Sequence, residues 1–390
     1  AQELGLSPST WEYQMIFGMA EPFQEAVLRR GRRLRLYTPV GELLPGMAYL
    51  VRRLLENTSN ESFLRKEFVE SQSLTTLLAP PAASSFSDAT PVPAEFCNEP
   101  LRDFSRHETR SAMQDAIAQV KQELGRTRPA LAGALTRTGP PMPSYNPSRP
   151  EEIVGIVAAA AAADVEEAIR LAAQGWTAWR ILSPERRVAI VRAAAALMRS
   201  RRETLAAWEM LECGKPWREA DADVAEAIDF LEFYGAEWLR VAAPKRLGQA
   251  PGELNHRLVE PRGITAVIAP WNFPLAIPAG MVSAALVTGN PVLFKPSERS
   301  PVTGQLLAEI LIEAGVPQTV LLCLPGGPET GRALAQHAEI VTIAFTGSKQ
   351  VGLELLKRAS LVAPGQRMVK RVIAEMGGKN GIIIDEKYAF

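Results

Sequence analysis

From residue 254 onward, short apolar runs alternate with amphipathic stretches. Runs at 254–260, 264–268, 292–294, 320–323, 340–345, 368–374 and 381–384 have the length and composition of strands, and helical periodicity fills 275–288, 301–314, 329–337 and 349–360. This alternation predicts a parallel, doubly wound α/β sheet. Ahead of it, helical patterns cover 102–124, 164–179, 184–212 and 217–240, with one strand at 152–158. The alanine-dense stretches at 157–163 and 193–196 fit the high helix propensity and small contact size of that residue.

The first seventy residues follow another rhythm. Residues 7–30 read as one helix, capped by Ser7, with Met15, Ile16, Met19, Phe23 and Val27 at helical spacing and Pro22 bending or dividing it. Gly31 stops it, 32–38 alternates as a strand, and helices are predicted at 42–56 and 61–70. A unit of this size cannot bury its own faces and needs the rest of a barrel or sheet. Residues 71–98 are rich in Ser, Thr, Ala and Pro and read as a linker. The expected division is therefore 1–70, a linker over 71–100, and 101–390.

Composition narrows the function classes. Lys plus Arg number 43 and Asp plus Glu number 43, so the formal charge is zero, which argues against nucleic acid or an anionic membrane as the main partner. No apolar run approaches the ~20 residues of a membrane span. No secretory signal is visible, and the cytoplasm is the expected compartment. Only Cys97, Cys213, Cys323 and three histidines are present, which excludes a disulfide scaffold and leaves no ligand set for a metal.

Candidate chemistry lies at the ends of the predicted strands. Phe345-Thr-Gly-Ser348 closes a strand and opens a helix: Gly347 permits close backbone approach, and Ser348 with the free N–H groups suits a pyrophosphate. An ordinary N-cap role for Ser348 is equally compatible with the motif. Lys295 and Glu298, with Ser297 between them, follow a strand at the ligand-binding edge of such a sheet. They suit the hydroxyls of a ribose, or form a solvated loop pair. Gly327 and Gly331 mark a further strand-to-helix turn. In Pro-Trp-Asn-Phe-Pro at 270–274, Asn272 is either an amide donor to an oxyanion or a turn former. Glu375, beside Gly377 and Gly378, is a candidate general base if apolar surroundings raise its pKa, and otherwise a surface carboxylate.

These motifs in this order resemble the NAD(P)-dependent aldehyde dehydrogenase superfamily over residues 100–390. The resemblance implies a Rossmann-like NAD-binding domain. It implies that Trp271, Lys295, Ser297, Glu298, Gly327, Gly331, Phe345, Gly347 and Ser348 meet the dinucleotide. Asn272 would hold a thiohemiacetal oxyanion, and Glu375 would activate the water that releases the acid. The family's nucleophilic cysteine lies downstream of the glutamate, whereas the fifteen residues after Glu375 contain none. The chain is accordingly expected to be part of a longer protein and inactive alone. The alternative is a non-catalytic NAD-binding or assembly module.

The segments 12–19, 36–41 and 49–57 resemble the last strand and helix of a flavin-dependent proline dehydrogenase (βα)8 barrel. By pattern alone Arg52 and Arg53 are either a carboxylate clamp or a solvated basic stripe; by that resemblance they would pair with the proline carboxylate, Tyr37 and Tyr49 would line the pocket, and most of the FAD site would lie elsewhere. A proline dehydrogenase end joined to an aldehyde dehydrogenase start is similar to the bifunctional proline utilization A family. That family oxidises proline with FAD and glutamate γ-semialdehyde with NAD. The run 215–230 and residues 372–379 resemble its semialdehyde branch. The implied partners are these small molecules, and homo-oligomerisation of the parent stays open. A DNA-binding role finds no basic excess or ribbon-helix-helix start.

Overall fold

The computed structural model describes residues 11–17, 21–38, 96–129, 131–132, 134–248 and 254–381. The chain divides into two compact units, Ala1–Val92 and Pro93–Phe390. Within the described part of the first unit, β1 (Tyr13–Ile16) pairs in parallel with β2 (Leu34–Tyr37), and α1 (Glu21–Arg29) crosses between them. The single helix expected over 7–30 is therefore corrected, because residues 13–16 are a strand. Their backbone groups are satisfied by β2, a non-local partner that helical spacing cannot reveal. Pro22 sits in the first turn of α1, where its missing N–H breaks no helical bond. Glu12 and Arg35 pair at 2.6 Å beside the strands. Phe17, Phe23, Leu28 and Tyr37 stay exposed, as a unit too small for its own core requires. The helices expected at 42–56 and 61–70 lie outside the described residues.

In the second unit, residues 96–102 are tied onto the long helix Trp217–Ala242. The amide of Glu99 donates to Asp229 at 2.6 Å and that of Arg102 to Asp221 at 2.8 Å. Helix α2 (His107–Lys121) follows, then the short strands β3 (Leu131–Ala132) and β4 (Leu135–Thr136) and the antiparallel ribbon β5 (Pro141–Asn146) with β6 (Arg149–Ala158). Helices α3 (Ala162–Trp179), α4 (Pro184–Ser200), α5 (Arg202–Cys213) and α6 (Trp217–Ala242) come next. The continuous helix expected over 184–212 is broken at Arg201, whose φ of −117° and ψ of 19° are not helical. The break turns Arg202 inward, where it meets Asp221 at 2.6 Å with both side chains 2% exposed. Gly214, at φ 71°, ends α5 in the left-handed region that favours glycine.

Beyond it, β7 (Lys245–Arg246) pairs with β8 (His256–Arg257). The strand expected over 254–260 shrinks to those two residues, because Leu254 and Leu258 face solvent and find no sheet. The remaining elements are β9 (Thr265–Ile268), α7 (Ala276–Val287), β10 (Val292–Lys295), α8 (Pro301–Glu313), β11 (Leu321–Cys323), α9 (Pro328–Gln336), β12 (Thr342–Thr346), α10 (Lys349–Ser360) and β13 (Arg371–Glu375). The strands form one parallel sheet in the order β11-β10-β9-β12-β13. Strands β9, β10 and β11 are buried throughout, which is why they read as unbroken apolar runs. The chain winds outward from β9 to β11, then returns to lay β12 against the other side of β9. That reversal opens a crevice at the carboxyl ends of β9 and β12. The strand expected at 381–384 lies, but for Gly381, outside the described residues. Among the described residues, no helix is long and apolar enough to cross a membrane.

Candidate active site

Because all five strands are parallel, their carboxyl ends share one edge, and a cleft of about 1210 Å³ lies along it. The loop after β9 brings Trp271 and Asn272 to this cleft, and the end of β10 brings Lys295, Ser297 and Glu298. Helix α9 contributes Gly331, and the β12–α10 turn contributes Phe345, Gly347 and Ser348. The helix starts at Pro328 and Ser348 both border it, so their free N–H groups favour an anion there.

Two predicted residues stand differently. Gly327 does not line the cleft, and its N–H donates to Glu329 Oε1 at 3.0 Å. Glu375 ends β13 opposite Thr346, and its carbonyl accepts the N–H of Gly347 at 3.1 Å. Its side chain is exposed and outside the lining, although Met376 and Gly377 next to it belong to the lining. The apolar surroundings expected of a general base are not found around this carboxylate among the described residues.

Lys295 is 5% exposed at the end of a buried strand. Its Nζ donates to the Pro296 carbonyl at 3.1 Å and lies 3.8 Å from Glu298 Oε2. Burial pulls the ammonium's pKa down, and the carboxylates of Glu298 and Glu329 oppose that only in part. A buried ammonium with one hydrogen bond and one long ion contact still has a proton to give to a ligand. Ser348 Oγ accepts from the Val351 N–H at 3.3 Å, so it caps α10 as it borders the cleft. Its two readings are compatible. A Cβ on Gly347 would stand 2.7 Å from the Phe345 ring, so any side chain there would force that ring to move.

Asn272 is exposed on the wall of the cleft, between Trp271 and Phe273, while Pro274 and Leu275 anchor the loop in the interior. The guanidinium of Arg299 lies 5.7 Å from the centroid of the Trp271 ring. Arg299, Arg332 and Lys357 also line the cleft and escaped the sequence reading. Adjacency was the signal for two of them, since Arg299 follows Glu298 and Arg332 follows Gly331. With Lys295 they oppose two lining carboxylates, Glu298 and Glu354, and Glu354 is paired with Arg358. The balance is positive. Helix starts, an incompletely satisfied buried ammonium and this charge excess fit an anionic dinucleotide.

In the first unit, Tyr37 is exposed at the end of β2, and Tyr49, Arg52 and Arg53 lie outside the described residues. Two paired strands and one helix cannot enclose a flavin, so the residues described there do not by themselves fit FAD.

Comparison with known proteins follows the same division. Residues 135–389 match the aldehyde dehydrogenase family, and residues 1–66 match proline dehydrogenase. The 1-pyrroline-5-carboxylate dehydrogenase of Geobacillus thermodenitrificans is 45% identical over 292 residues, which make up 74% of this chain and 57% of that protein. The chain thus spans little more than half the length of the curated relatives it matches. Proline utilization A from Bdellovibrio bacteriovorus, solved after inactivation by N-propargylglycine, is 45% identical with a TM-score of 0.75, over 97% of this chain and 40% of that one. A Thermus 1-pyrroline-5-carboxylate dehydrogenase solved with bound NAD is 43% identical with a TM-score of 0.71, over 73% and 56% of the two chains.

Proposed function

The chain belongs to the aldehyde dehydrogenase family, and from that premise we propose that its cleft is the NAD site of a glutamate γ-semialdehyde dehydrogenase. The carrying observation is the meeting of Asn272, Lys295, Glu298 and Ser348 at one cleft across the reversal of the sheet. Lys295 and Glu298 hold the two hydroxyls of the adenosine ribose, and the α10 start at Ser348 holds the pyrophosphate. NAD, when bound, supplies the acceptor for the two electrons that leave the aldehyde. The Asn272 amide donates to the oxygen that becomes negative when the carbonyl is attacked. We assign Glu375 the proton of the water that frees the acid on the family match, although its exposed side chain lacks the apolar surroundings of a base here.

The attacking thiol is not Cys213 or Cys323. Burial, reinforced by the carboxylates of Glu212 and Glu209, pushes the Cys213 thiol far above its ordinary range. Burial pushes Cys323 up to about 12. Neither is a thiolate at neutral pH. Cys97 is exposed on the strap along α6 and does not line the cleft. The chain is therefore proposed to bind NAD without completing turnover alone. The free thiols of Cys213, partly exposed, and Cys323, buried, also accord with a reducing cytoplasmic setting, which belongs to the same proposal. On the match of residues 1–66, we assign the flavin-dependent oxidation of proline to the same polypeptide, with no step derived through the flavin.

The test is NADH formation by the complete gene product, offered glutamate γ-semialdehyde beside short unsubstituted aldehydes. A clear preference for the semialdehyde is expected, and equal rates would remove the substrate assignment. Sustained NADH formation by this chain alone would show that it contains its own nucleophile.

A further inference from the structure

Under the loop that carries Asn272 lies an ionic cluster that the chemistry above does not use. Helix α5 ends at Cys213, Gly214 turns the chain in its left-handed conformation, and Lys215 folds back before α6 begins. The Lys215 ammonium is 9% exposed; it lies 3.1 Å from Glu209 on α5 and forms a tight ion pair with Asp223 on α6. Both carboxylates are fully buried.

This corner grips the loop at three points. The Cys213 thiol donates to the carbonyl of Trp271 at 3.4 Å. Lys215 Nζ sits 4.4 Å from the centroid of the Phe273 ring, within range of a cation–π contact. Asp223 Oδ1 accepts the N–H of Ala276 at 2.7 Å, where α7 begins. Asn272 lies between the first and second grips. Two buried carboxylates face one ammonium, so full ionisation leaves a buried negative charge. Burial and the neighbouring Asp223 push the pKa of Glu209 well up, while Lys215 opposes them. Lys215 stays charged, because Glu209 and Asp223 outweigh the desolvation that pulls it down.

We propose that Cys213, Lys215 and Asp223 are positioning residues that clamp the 271–276 loop and thereby fix the direction of the Asn272 amide. Glu209, 3.1 Å from the Lys215 ammonium, holds that ammonium from the α5 side. The functional meaning of the clamp rests on the dehydrogenase reading, but its existence does not.

The experiment is ¹⁹F NMR of the chain labelled with 5-fluorotryptophan, which carries seven tryptophans. The Trp271 line is assigned from Trp271→Phe. Lines of Trp176 and Trp179, whose indoles donate to the carbonyls of Gly289 and Leu286 at 3.1 Å, report on the core. Lys215→Met and Asp223→Ala are expected to move or broaden the Trp271 line while leaving the two core lines in place. Lys215→Arg keeps the charge and restores the line. A Trp271 line unchanged in both variants, or not restored by Lys215→Arg, overturns the clamp. If the buried substitutions collapse the fold, Phe273→Leu and Cys213→Ala decide: a shifted Trp271 line supports the proposal, and an unmoved one overturns it. NAD titration of the unsubstituted chain separates the two readings. Absent NAD binding with a responsive Trp271 line sinks the dinucleotide assignment alone, and intact NAD binding with an inert line sinks the clamp alone.

Discussion

Replacing Lys295 with methionine should separate binding from stability. In the folded chain this ammonium is 5% exposed and has one hydrogen bond, to the Pro296 carbonyl, with Glu298 at 3.8 Å and half exposed. The hydrogen bond contributes about 1.5–3 kcal/mol, and so open an ion pair contributes less than about 1 kcal/mol. Against them stands the desolvation of a buried cation, several kcal/mol even after relaxation. Methionine fills a similar volume without that cost, so Lys295→Met should leave stability unchanged or raise it by about 1–3 kcal/mol. NAD affinity should move the other way. Loss of charge-assisted hydrogen bonds to the ribose removes about 1.5–3 kcal/mol, roughly 10- to 100-fold in Kd. Urea unfolding and calorimetric titration with NAD measure the two quantities on one preparation. A variant that binds NAD as tightly as the parent chain, or that loses more than about 3 kcal/mol of stability, refutes the reasoning. The pH dependence carries the same sign. Lys295 has a lowered pKa when folded, so its burial cost is fully present at low pH. Stability recovers as pH rises from that lowered value toward the ordinary lysine range, and NAD affinity falls over the same window.

Glu212 is fully buried and accepts from Ser144 Oγ at 2.7 Å, from the N–H groups of Val302 and Thr303 at 2.9 and 2.7 Å, and from Thr303 Oγ1 at 2.5 Å. Glu212→Ala orphans these donors at the start of α8 and should cost about 3–5 kcal/mol by urea unfolding; a loss below about 1 kcal/mol would contradict that accounting. Glu298→Gln removes the carboxylate that would repel a 2′-phosphate, so the ratio of NADP to NAD affinity should rise about tenfold in paired titrations. An unchanged ratio would take Glu298 away from the ribose.

The parts of this fold that were legible in the sequence are those fixed by local pattern. Strands β9, β10 and β11 read clearly because both faces are buried, and α10 because its Ser348 cap and its periodicity coincide. Errors arose where a distant residue decides. β1 is a strand because β2 pairs with it, the break at Arg201 serves an ion pair with Asp221, and residues 254–260 found no sheet to join. The candidate site divides the same way. Motifs at strand ends placed Trp271, Asn272, Lys295, Glu298 and Ser348 on one cleft, because a parallel sheet collects strand ends by construction. The exposure of the Glu375 side chain depends on how β13 is covered, which the letters do not encode. The Lys215 cluster was invisible for a related reason. Carboxylates on a helix read as its solvated face until packing shows Glu209 and Asp223 inside.

The central claim is that this cleft holds NAD. Calorimetric titration of NAD into the isolated chain tests it most directly. The account predicts saturable binding at one site, weakened by Lys295→Met and competed by ADP-ribose. Heats that never saturate, or binding indifferent to both the substitution and the competitor, would contradict it.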